Sequence, residues 1–149
     1  MTKMWQLGVA LAAAGAVLTG ASAPAAPPTQ ITVYKSPSCG CCTKWVDHLK
    51  ANGYSVTAKD VDDVEPIKAE LGVPAKLASC HTALVGGYVV EGHVPAQDID
   101  RLLREKPKVV GLAVPGMPLG SPGMEAGRKD AYDVVAFAAN GATKVFARH

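Results

Sequence analysis

The sequence lacks an excess of charge of either sign. Its 149 residues carry 15 Lys and Arg against 13 Asp and Glu, a formal net charge of +2. Nucleic-acid-binding domains need positive charge concentrated on one face. The near balance therefore predicts that the chain has no nucleic-acid partner.

Long apolar runs are lacking too, apart from 5-WQLGVALAAAGAVLTG-20 near the N-terminus. This run follows a single basic residue and precedes A-x-A sites in 21-ASAPA-25, a pattern typical of a secretory signal peptide. It is Ala- and Gly-rich and short for a bilayer span, and no Cys follows it directly to carry a lipid anchor. We therefore expect a signal peptide, export to the periplasm, and no membrane attachment after cleavage.

The domain organisation follows from this segment. We assign residues 1–25 to the signal peptide, 26–30 to a short linker and 31–149 to one domain. Loss of Lys3 leaves 14 Lys and Arg against 13 Asp and Glu, a net charge of +1. The remaining chain is long enough to bury a modest core.

Cysteine is scarce, but its distribution is uneven. Three of the four cysteines fall within 36-SPSCGCCTKW-45, as Cys39, Cys41 and Cys42, and the fourth is Cys80. An exported protein commonly pairs its cysteines, and Cys39–Cys42 with Cys41–Cys80 is one possible pairing. Three thiols in four residues would nevertheless stabilise a fold poorly, because cross-links gain most when they join distant segments. The spacing indicates chemistry rather than a structural cross-link.

The order of predicted elements places these thiols. The predicted elements follow the order β-α-β-α-β-β-α. We expect strands at 31–34 and 54–61, helices at 42–53, 62–72 and 96–105, and a two-stranded hairpin about Gly86-Gly87 at 82–94. This order, with a Cys loop between the first strand and the first helix, is typical of an α/β thioredoxin-like fold, with a central mixed sheet flanked by helices. Residues 132–149 alternate about Asn140-Gly141 and predict a C-terminal β-hairpin extension.

The predicted fold brings Cys80 close to the other cysteines. The loop before the third strand, 77-LASCHTALV-85, should face the Cys turn, so four thiols would converge at the N-terminus of a helix. A helix N-terminus lowers thiol pKa values and favours thiolates, the species that bind metals.

Two functions remain open from spacing alone. Four thiolates form a soft ligand set that selects Cu(I), Zn or iron–sulfur clusters, and adjacent cysteines suit bridging of several Cu(I) ions. The alternative is a thiol-disulfide oxidoreductase that uses the C-x-x-C pair Cys39 and Cys42. If the Cu(I)-binding protein also cycled copper between oxidation states, it would be an enzyme as well.

Weaker candidates surround the cysteines. Met117 and Met124 lie in the Gly- and Pro-rich segment 107–127 and could be soft ligands, a lid over the site, or apolar anchors for the loop. His81 could ligate a metal or hydrogen-bond a thiolate. We expect His93 to be structural, His48 to face solvent and the terminal His149 to be mobile.

Four motifs, 38-SCGCC-42, 79-SCHTA-83, 91-EGHVP-95 and 111-GLAVPGMPLGSPGME-125, together resemble the CopG family of periplasmic copper-resistance proteins. The resemblance covers nearly all of the chain after the N-terminal segment. It implies a thioredoxin-like fold and a Cu(I) cluster held by Cys39, Cys41, Cys42 and Cys80. It also implies copper ions, and other periplasmic copper-handling proteins, as partners. It leaves open whether copper is stored, transferred or cycled between oxidation states.

Overall fold

The computed structural model describes residues 26–149, and the predicted signal peptide lies outside the described residues. Three α-helices and seven strands follow one another along the described chain: β1 (Gln30–Lys35), α1 (Gly40–Ala51), β2 (Ser55–Asp60), α2 (Glu65–Glu70), β3 (His81–Val85), β4 (Tyr88–Glu91), α3 (Ala96–Glu105), β5 (Gly111–Ala113), β6 (Asp133–Phe137) and β7 (Thr143–Arg148). Within 26–149, no helix is long and apolar enough to cross a membrane.

The strands of residues 26–149 form one mixed sheet of seven strands in the order β2-β1-β3-β4-β5-β6-β7. β1 is parallel to β2 and β4 to β5, and the other neighbours are antiparallel. In the β1–β3 pair Lys35 lies opposite His81. The loop that leaves β1 and the loop that enters β3 therefore meet at the same edge of the sheet.

Each face of the sheet has its own core, because successive side chains of a strand point to opposite faces. One cluster joins Trp45 and Leu49 of α1 and Ile99 and Leu102 of α3 to the sheet. The smaller cluster packs on the other face and contains Leu77, Val89, Ala113 and Phe137, with Leu71 and Val73 after α2 beside it. Helices consequently flank the sheet on both faces.

Local signals predicted most of these elements. The hairpin at Gly86-Gly87, the helix after Pro95 and the C-terminal hairpin are confirmed. The hairpin extends the sheet through β6, which pairs with β5. The three-residue strand β5 was expected to be loop, because 107–127 is rich in Gly and Pro. Its strand geometry depends on its neighbours β4 and β6.

Candidate metal centre

The Cys turn joins the end of β1 to the start of α1. The backbone N–H of Cys39 donates to the Ser36 carbonyl at 3.1 Å. Cys39 is the N-cap residue of α1, and its Sγ accepts from the backbone N–H of Cys42 at 3.3 Å. The helix therefore begins at Gly40, two residues earlier than predicted. Cys41 and Cys42 lie in its first turn.

The sulfur atoms of Cys39, Cys41, Cys42 and Cys80 converge, all within 4.8 Å of one another. The Cys41 Sγ lies 3.5 Å from the Cys39 Sγ and 3.9 Å from the Cys80 Sγ. Cys39 and Cys42 are joined by a disulfide, with their Cα atoms 5.3 Å apart, while Cys41 and Cys80 are free thiols. Cys42 is fully buried and the other three are partly exposed. The predicted approach of Cys80 to the Cys turn is confirmed.

These spacings fit a soft metal ion. A tetrahedral ion with metal–sulfur bonds of about 2.3 Å needs sulfur atoms about 3.8 Å apart. The Cys39–Cys41 and Cys41–Cys80 separations of 3.5 and 3.9 Å bracket that value. The Cys39–Cys42 disulfide must be reduced before all four sulfurs can act as thiolate ligands, since thiolates are the ligating form.

A buried ion pair anchors the loop that carries Cys80. Lys68 Nζ of α2 donates to the Ser79 carbonyl and to Glu91 Oε1, both at 2.5 Å. Glu91 Oε1 also accepts from the Ser79 backbone N–H at 2.7 Å. Lys68 and Glu91 are 2% and 0% exposed. Both backbone groups of the residue before Cys80 are thus fixed by buried charged side chains, which sequence reasoning missed.

Two buried histidines lie against Cys80. The Cys80 Sγ is 3.0 Å from His93 Nε2 and 3.3 Å from His81 Nδ1. The His81 ring also packs against Trp45, with ring centroids 4.4 Å apart. The structure thus places the His81 ring against the Cys80 sulfur, where either role considered for it, metal ligation or a hydrogen bond to the thiolate, would require it. The expectation that His93 is merely structural omitted its contact with Cys80, which only the fold reveals.

Burial sets the protonation of these groups. It lowers the pKa of His81 to about 3, with the charges of His93 and Lys68 acting in the same direction. Burial also lowers the pKa of His93, against the opposing effects of the Pro122 carbonyl and Glu125. Both imidazoles are consequently neutral near pH 7, and a neutral imidazole is the form that binds metals.

The expected lowering of thiol pKa values is wrong for Cys80. Burial, and then the nearby Cys41, raise the pKa of Cys80 to about 11. Cys80 lies on the facing loop rather than on α1, so desolvation outweighs any effect of the helix N-terminus. Metal binding must therefore displace a proton from this thiol.

The Gly- and Pro-rich segment closes one side of the cysteine cluster. Gly123 packs so closely on α1 that an added Cβ would lie 2.7 Å from the Cys41 carbonyl and 3.0 Å from the Trp45 nitrogen. A cavity of about 320 Å³ between this segment and α1 is lined by Gly40, Cys41, Lys44, Leu119, Gly123, Met124, Glu125 and Ala126. Met124 therefore shares a cavity with Cys41. Met117 is 52% exposed and does not line that cavity.

The remaining histidines lie outside the cluster. His48 was expected to face solvent, but it is half-buried and its Nε2 accepts from the Ala96 N–H at 3.1 Å. His149 was expected to be mobile, but its Nε2 lies 2.7 Å from Asp98 Oδ2 and its ring stacks on Tyr132. Tertiary contacts fix both rings at positions that look peripheral in the sequence.

The fold and site define a mixed α/β protein with a four-cysteine cluster that could hold a metal ion. Two solved structures of copper resistance protein CopG share 50% identity with the chain, with TM-scores of 0.79 for form 2 and 0.78 for form 1. Each comparison covers 82% of this chain and 98% of the other. The family described as "Protein of unknown function, DUF411" matches residues 77–124, and no curated protein matches. The chain belongs to the CopG copper-resistance family.

Proposed function

We propose that the chain is an exported copper-binding protein that serves copper resistance. It holds Cu(I) on Cys39, Cys41, Cys42 and Cys80 once the Cys39–Cys42 disulfide is reduced. The observation that carries this proposal is the convergence of Cys80 with the Cys turn, with every sulfur within 4.8 Å of the others. The 50% identity with proteins named for copper resistance supports copper as the metal.

The donor set favours several ions rather than one. Thiolates are soft ligands that select Cu(I), and one thiolate can bridge two such ions. The sulfurs of the adjacent residues Cys41 and Cys42 lie within 4.8 Å of each other and of the other two sulfurs. Thiolates packed this closely can each bridge neighbouring Cu(I) ions, which favours a multinuclear cluster. Met124, in the cavity beside Cys41, is a candidate soft ligand or lid.

The sheet order supports a thioredoxin-like assignment for the first part of the domain. The order β-α-β-α-β-β-α from β1 to α3 matches the order that the sequence predicts for that fold. Its strands lie side by side as β2-β1-β3-β4, with β1 and β2 parallel and the next two pairs antiparallel. In such a fold the Cys turn lies at the junction of the first strand and first helix. The metal site would then occupy the place of a dithiol redox centre.

A thiol-disulfide oxidoreductase is the second candidate, and the Cys39–Cys42 disulfide favours it. On that alternative, the disulfide would accept two electrons and two protons from a dithiol substrate, and copper would be dispensable. The partly exposed Cys41, 3.5 Å from the Cys39 sulfur, would compete for Cys39 through a second disulfide. That competition favours the copper-binding function over the oxidoreductase.

Export is part of the proposal, because residues 1–25 have the pattern of a signal peptide. The mature protein would reside in the periplasm and exchange copper with other copper-handling proteins there, with no membrane anchor and no nucleic-acid partner. Fractionation of cells that express the full chain, with mass measurement of the mature protein, tests this part. A protein that keeps residues 1–25 in the cytoplasmic fraction would contradict it.

An anaerobic Cu(I) titration of the reduced protein tests the metal function. We expect several tightly held ions per wild-type chain, fewer in Cys80→Ser, and the wild-type number in Thr43→Ser. Thr43 is an exposed neighbour of the cysteines and supplies no thiol. No bound copper, together with rapid turnover of the Cys39–Cys42 disulfide by a dithiol, would instead establish the oxidoreductase.

A further inference from the structure

Strand β7 forms one edge of the sheet, and its outer side is open. Among residues 26–149 it pairs with β6 alone. Bonded and non-bonded residue pairs alternate along an antiparallel ladder, and the Ala138 N–H donates to the Ala142 carbonyl at 2.9 Å. Thr143 and Val145 consequently fall in non-bonded pairs. Their backbone N–H and C=O groups point outward, where another extended chain could pair with them.

Two cavities flank this edge, one on each face of the sheet. Ala136 and Ala138 line a cavity of about 310 Å³. Asp133 and Val135 line a second cavity of about 570 Å³. Because alternate residues of a strand point to opposite faces, the two cavities lie on opposite sides of the β6–β7 pair. A strand laid along β7 would direct its own alternate side chains toward the two cavities.

Contacts of Arg101 join the two walls of the smaller cavity. Its Nη1 donates to the Phe146 carbonyl at 3.0 Å, and its central guanidinium carbon lies 4.0 Å from the centre of the Phe146 ring. Arg101 belongs to α3, and Phe146 lies in β7 at the irregularity in the β6–β7 register. Val109 and Val145 add apolar surface to the lining. The cavity is therefore a preformed, largely apolar pocket beside the open edge.

The rim of the smaller cavity carries positive charge without a partner. Lys144 lines the cavity, and Lys106 and Lys108 lie on either side of a residue that does. All three lysines are exposed, and none forms a salt bridge within the described part of the chain. Glu105 also lines the cavity, but its carboxylate is already paired with Arg101 at 2.9 Å. A ligand that complements this rim carries negative charge.

Positive charge along β7 itself argues against a second copy of the chain as the occupant. A two-fold contact between two β7 edges would bring Lys144 and Arg148 against the same residues of the other copy. Like charges across a strand pair are destabilising, and lysine on an edge strand prevents such pairing. A lipid surface would match the charge, but it has no backbone to pair with Thr143 and Val145. The open edge and its charge together select an acidic polypeptide.

We propose that β7 is a docking edge for an extended, acidic segment of a partner protein. The segment adds a strand to the sheet by pairing with the backbone of Thr143 and Val145. Its apolar side chains enter the flanking cavities, and its carboxylates lie against the lysines of the rim. Strands β4, β5 and β6 separate β3 from β7. The docking edge therefore leaves the cysteine cluster free, and the proposal does not depend on copper binding.

The probe is the synthetic peptide EVEFEVE, acetylated and amidated at its ends, added to the copper-free protein. Its binding, followed by NMR, should shift the amide signals of Thr143 and Val145 and slow their hydrogen exchange. The charge-reversed peptide KVKFKVK should not bind. Two further versions of EVEFEVE are N-methylated at the odd or at the even positions. One of them should bind about 10-fold more weakly, because it keeps the charge but loses the backbone donors that face β7.

Lys144→Glu tests the protein side of the contact, and Lys59→Glu is its matched control. Lys59 is exposed on β2, at the opposite edge of the sheet, so both variants make the same change in net charge. Lys144→Glu should weaken the binding of EVEFEVE by about 10-fold, because it places like charge at the docking edge. Lys59→Glu should leave the binding unchanged. Equal effects of the two variants would refute a contact at β7.

Other outcomes would also overturn the proposal. EVEFEVE that fails to bind at millimolar concentration, or that binds equally well in both N-methylated versions, would refute strand addition. Protection of Thr143 and Val145 that rises with protein concentration alone would assign the edge to a second copy. Binding to vesicles of phosphatidylglycerol and phosphatidylcholine in place of the peptide, without protection of these amides, would assign the charge to a lipid surface. Each of these results leaves the Cu(I) titration, and so the copper function, unaffected.

Discussion

The Sγ atoms of Cys41 and Cys80 lie 3.9 Å apart although 39 residues separate them in the chain. Strand pairing explains this proximity, because Lys35 at the end of β1 lies opposite His81 at the start of β3. The turn that follows Lys35 and the loop that precedes His81 must therefore meet. The sheet thus completes a four-cysteine cluster that neither segment could form alone.

Copper capacity should depend on the redox state of Cys39 and Cys42. Joined as a disulfide, these two sulfurs are not thiolates, so the oxidised protein should hold fewer Cu(I) ions than the reduced protein. Copper per chain, measured after anaerobic desalting of both forms, checks this expectation. Treatment of the oxidised form with a thiol reductant should restore the full number. Equal copper content in the two forms would rule out ligation by this pair.

Gly123→Ala should loosen the segment that closes the site. Gly123 has a φ of +88°, and an added Cβ would lie 2.7 Å from the Cys41 carbonyl. Gly116→Ala is the matched control, since Gly116 has a φ of +68° but nothing within 4 Å of an added Cβ. Both variants carry left-handed backbone strain, and the steric clash at Gly123 should add about 1–3 kcal/mol to its loss of stability.

Two measurements separate these glycine variants. Urea unfolding should give a lower free energy of unfolding for Gly123→Ala than for Gly116→Ala. Alkylation of Cys41 in the folded protein should be faster in Gly123→Ala, because the segment can no longer pack closely on α1. Similar stabilities and alkylation rates in the two variants would show that the segment does not close the site.

Removing the Lys68 ammonium group, which holds the loop before Cys80, should lower the free energy of unfolding. Lys68→Met leaves Glu91 without its charge partner in a position that is 0% exposed, with Oε2 already unpaired among the described residues. Breaking a buried pair in this way costs about 3–5 kcal/mol. Burial already raises the pKa of Glu91 despite the hydrogen bond from Lys68. In Lys68→Met the carboxyl should therefore take up a proton more readily.

Controls for the buried pair are available in the same chain. Glu105→Gln breaks the exposed pair between Arg101 and Glu105 and should cost no more than about 1 kcal/mol. Lys68→Met/Glu91→Leu removes both charges and should recover part of the stability that Lys68→Met loses. Free energies of unfolding from urea titrations at fixed pH compare the three variants. A loss in Lys68→Met as small as that in Glu105→Gln would contradict the importance of the pair.

Stability should fall as the pH drops below about 6.5, the ordinary pKa of histidine. Burial lowers the pKa of His48 in the folded state, although Glu125 opposes this effect. A lowered histidine pKa means that the unfolded chain binds the proton more readily, so stability is complete above pH 6.5 and declines below it. His81 and His93 are lowered in the same direction.

His48→Gln isolates one part of this pH dependence. The variant should show a shallower decline in unfolding free energy between about pH 6.5 and pH 5 than wild type. The decline should not vanish, because His81 and His93 remain. Urea unfolding at a series of pH values provides the measurement. Parallel wild-type and variant profiles would show that His48 has no lowered pKa in the folded protein.

The elements nearest to the cysteines were predictable because their signals are local. A β-rich run, a turn with Ser and Gly, and a periodic apolar face placed β1 and α1. Gly86-Gly87 marked the hairpin. The proximity of Cys80 was also predictable, since the order of elements determines which loops share an edge of the sheet. The sequence therefore predicted that the four cysteine sulfur atoms lie close together.

Other parts of the site depend on long-range contacts that no local pattern records. His93 lies in 91-EGHVP-95, and only the packing of this turn against the 77–80 loop brings its ring to Cys80. Lys68 occupies a helix where a lysine normally faces solvent, yet its ammonium group is buried by the Ser79 loop. Strand β5 has only three residues and is ordered by its partners on both sides.

X-ray absorption at the copper edge of the reduced, Cu(I)-loaded wild-type protein tests the central claim most directly. Sulfur should dominate the ligand shell, and scattering between neighbouring copper ions should be present, because bridging thiolates hold the ions close together. Cys80→Ser should reduce both signals. A single copper ion with nitrogen and oxygen ligands, and no copper–copper scattering, would contradict a thiolate-bridged cluster on these four cysteines.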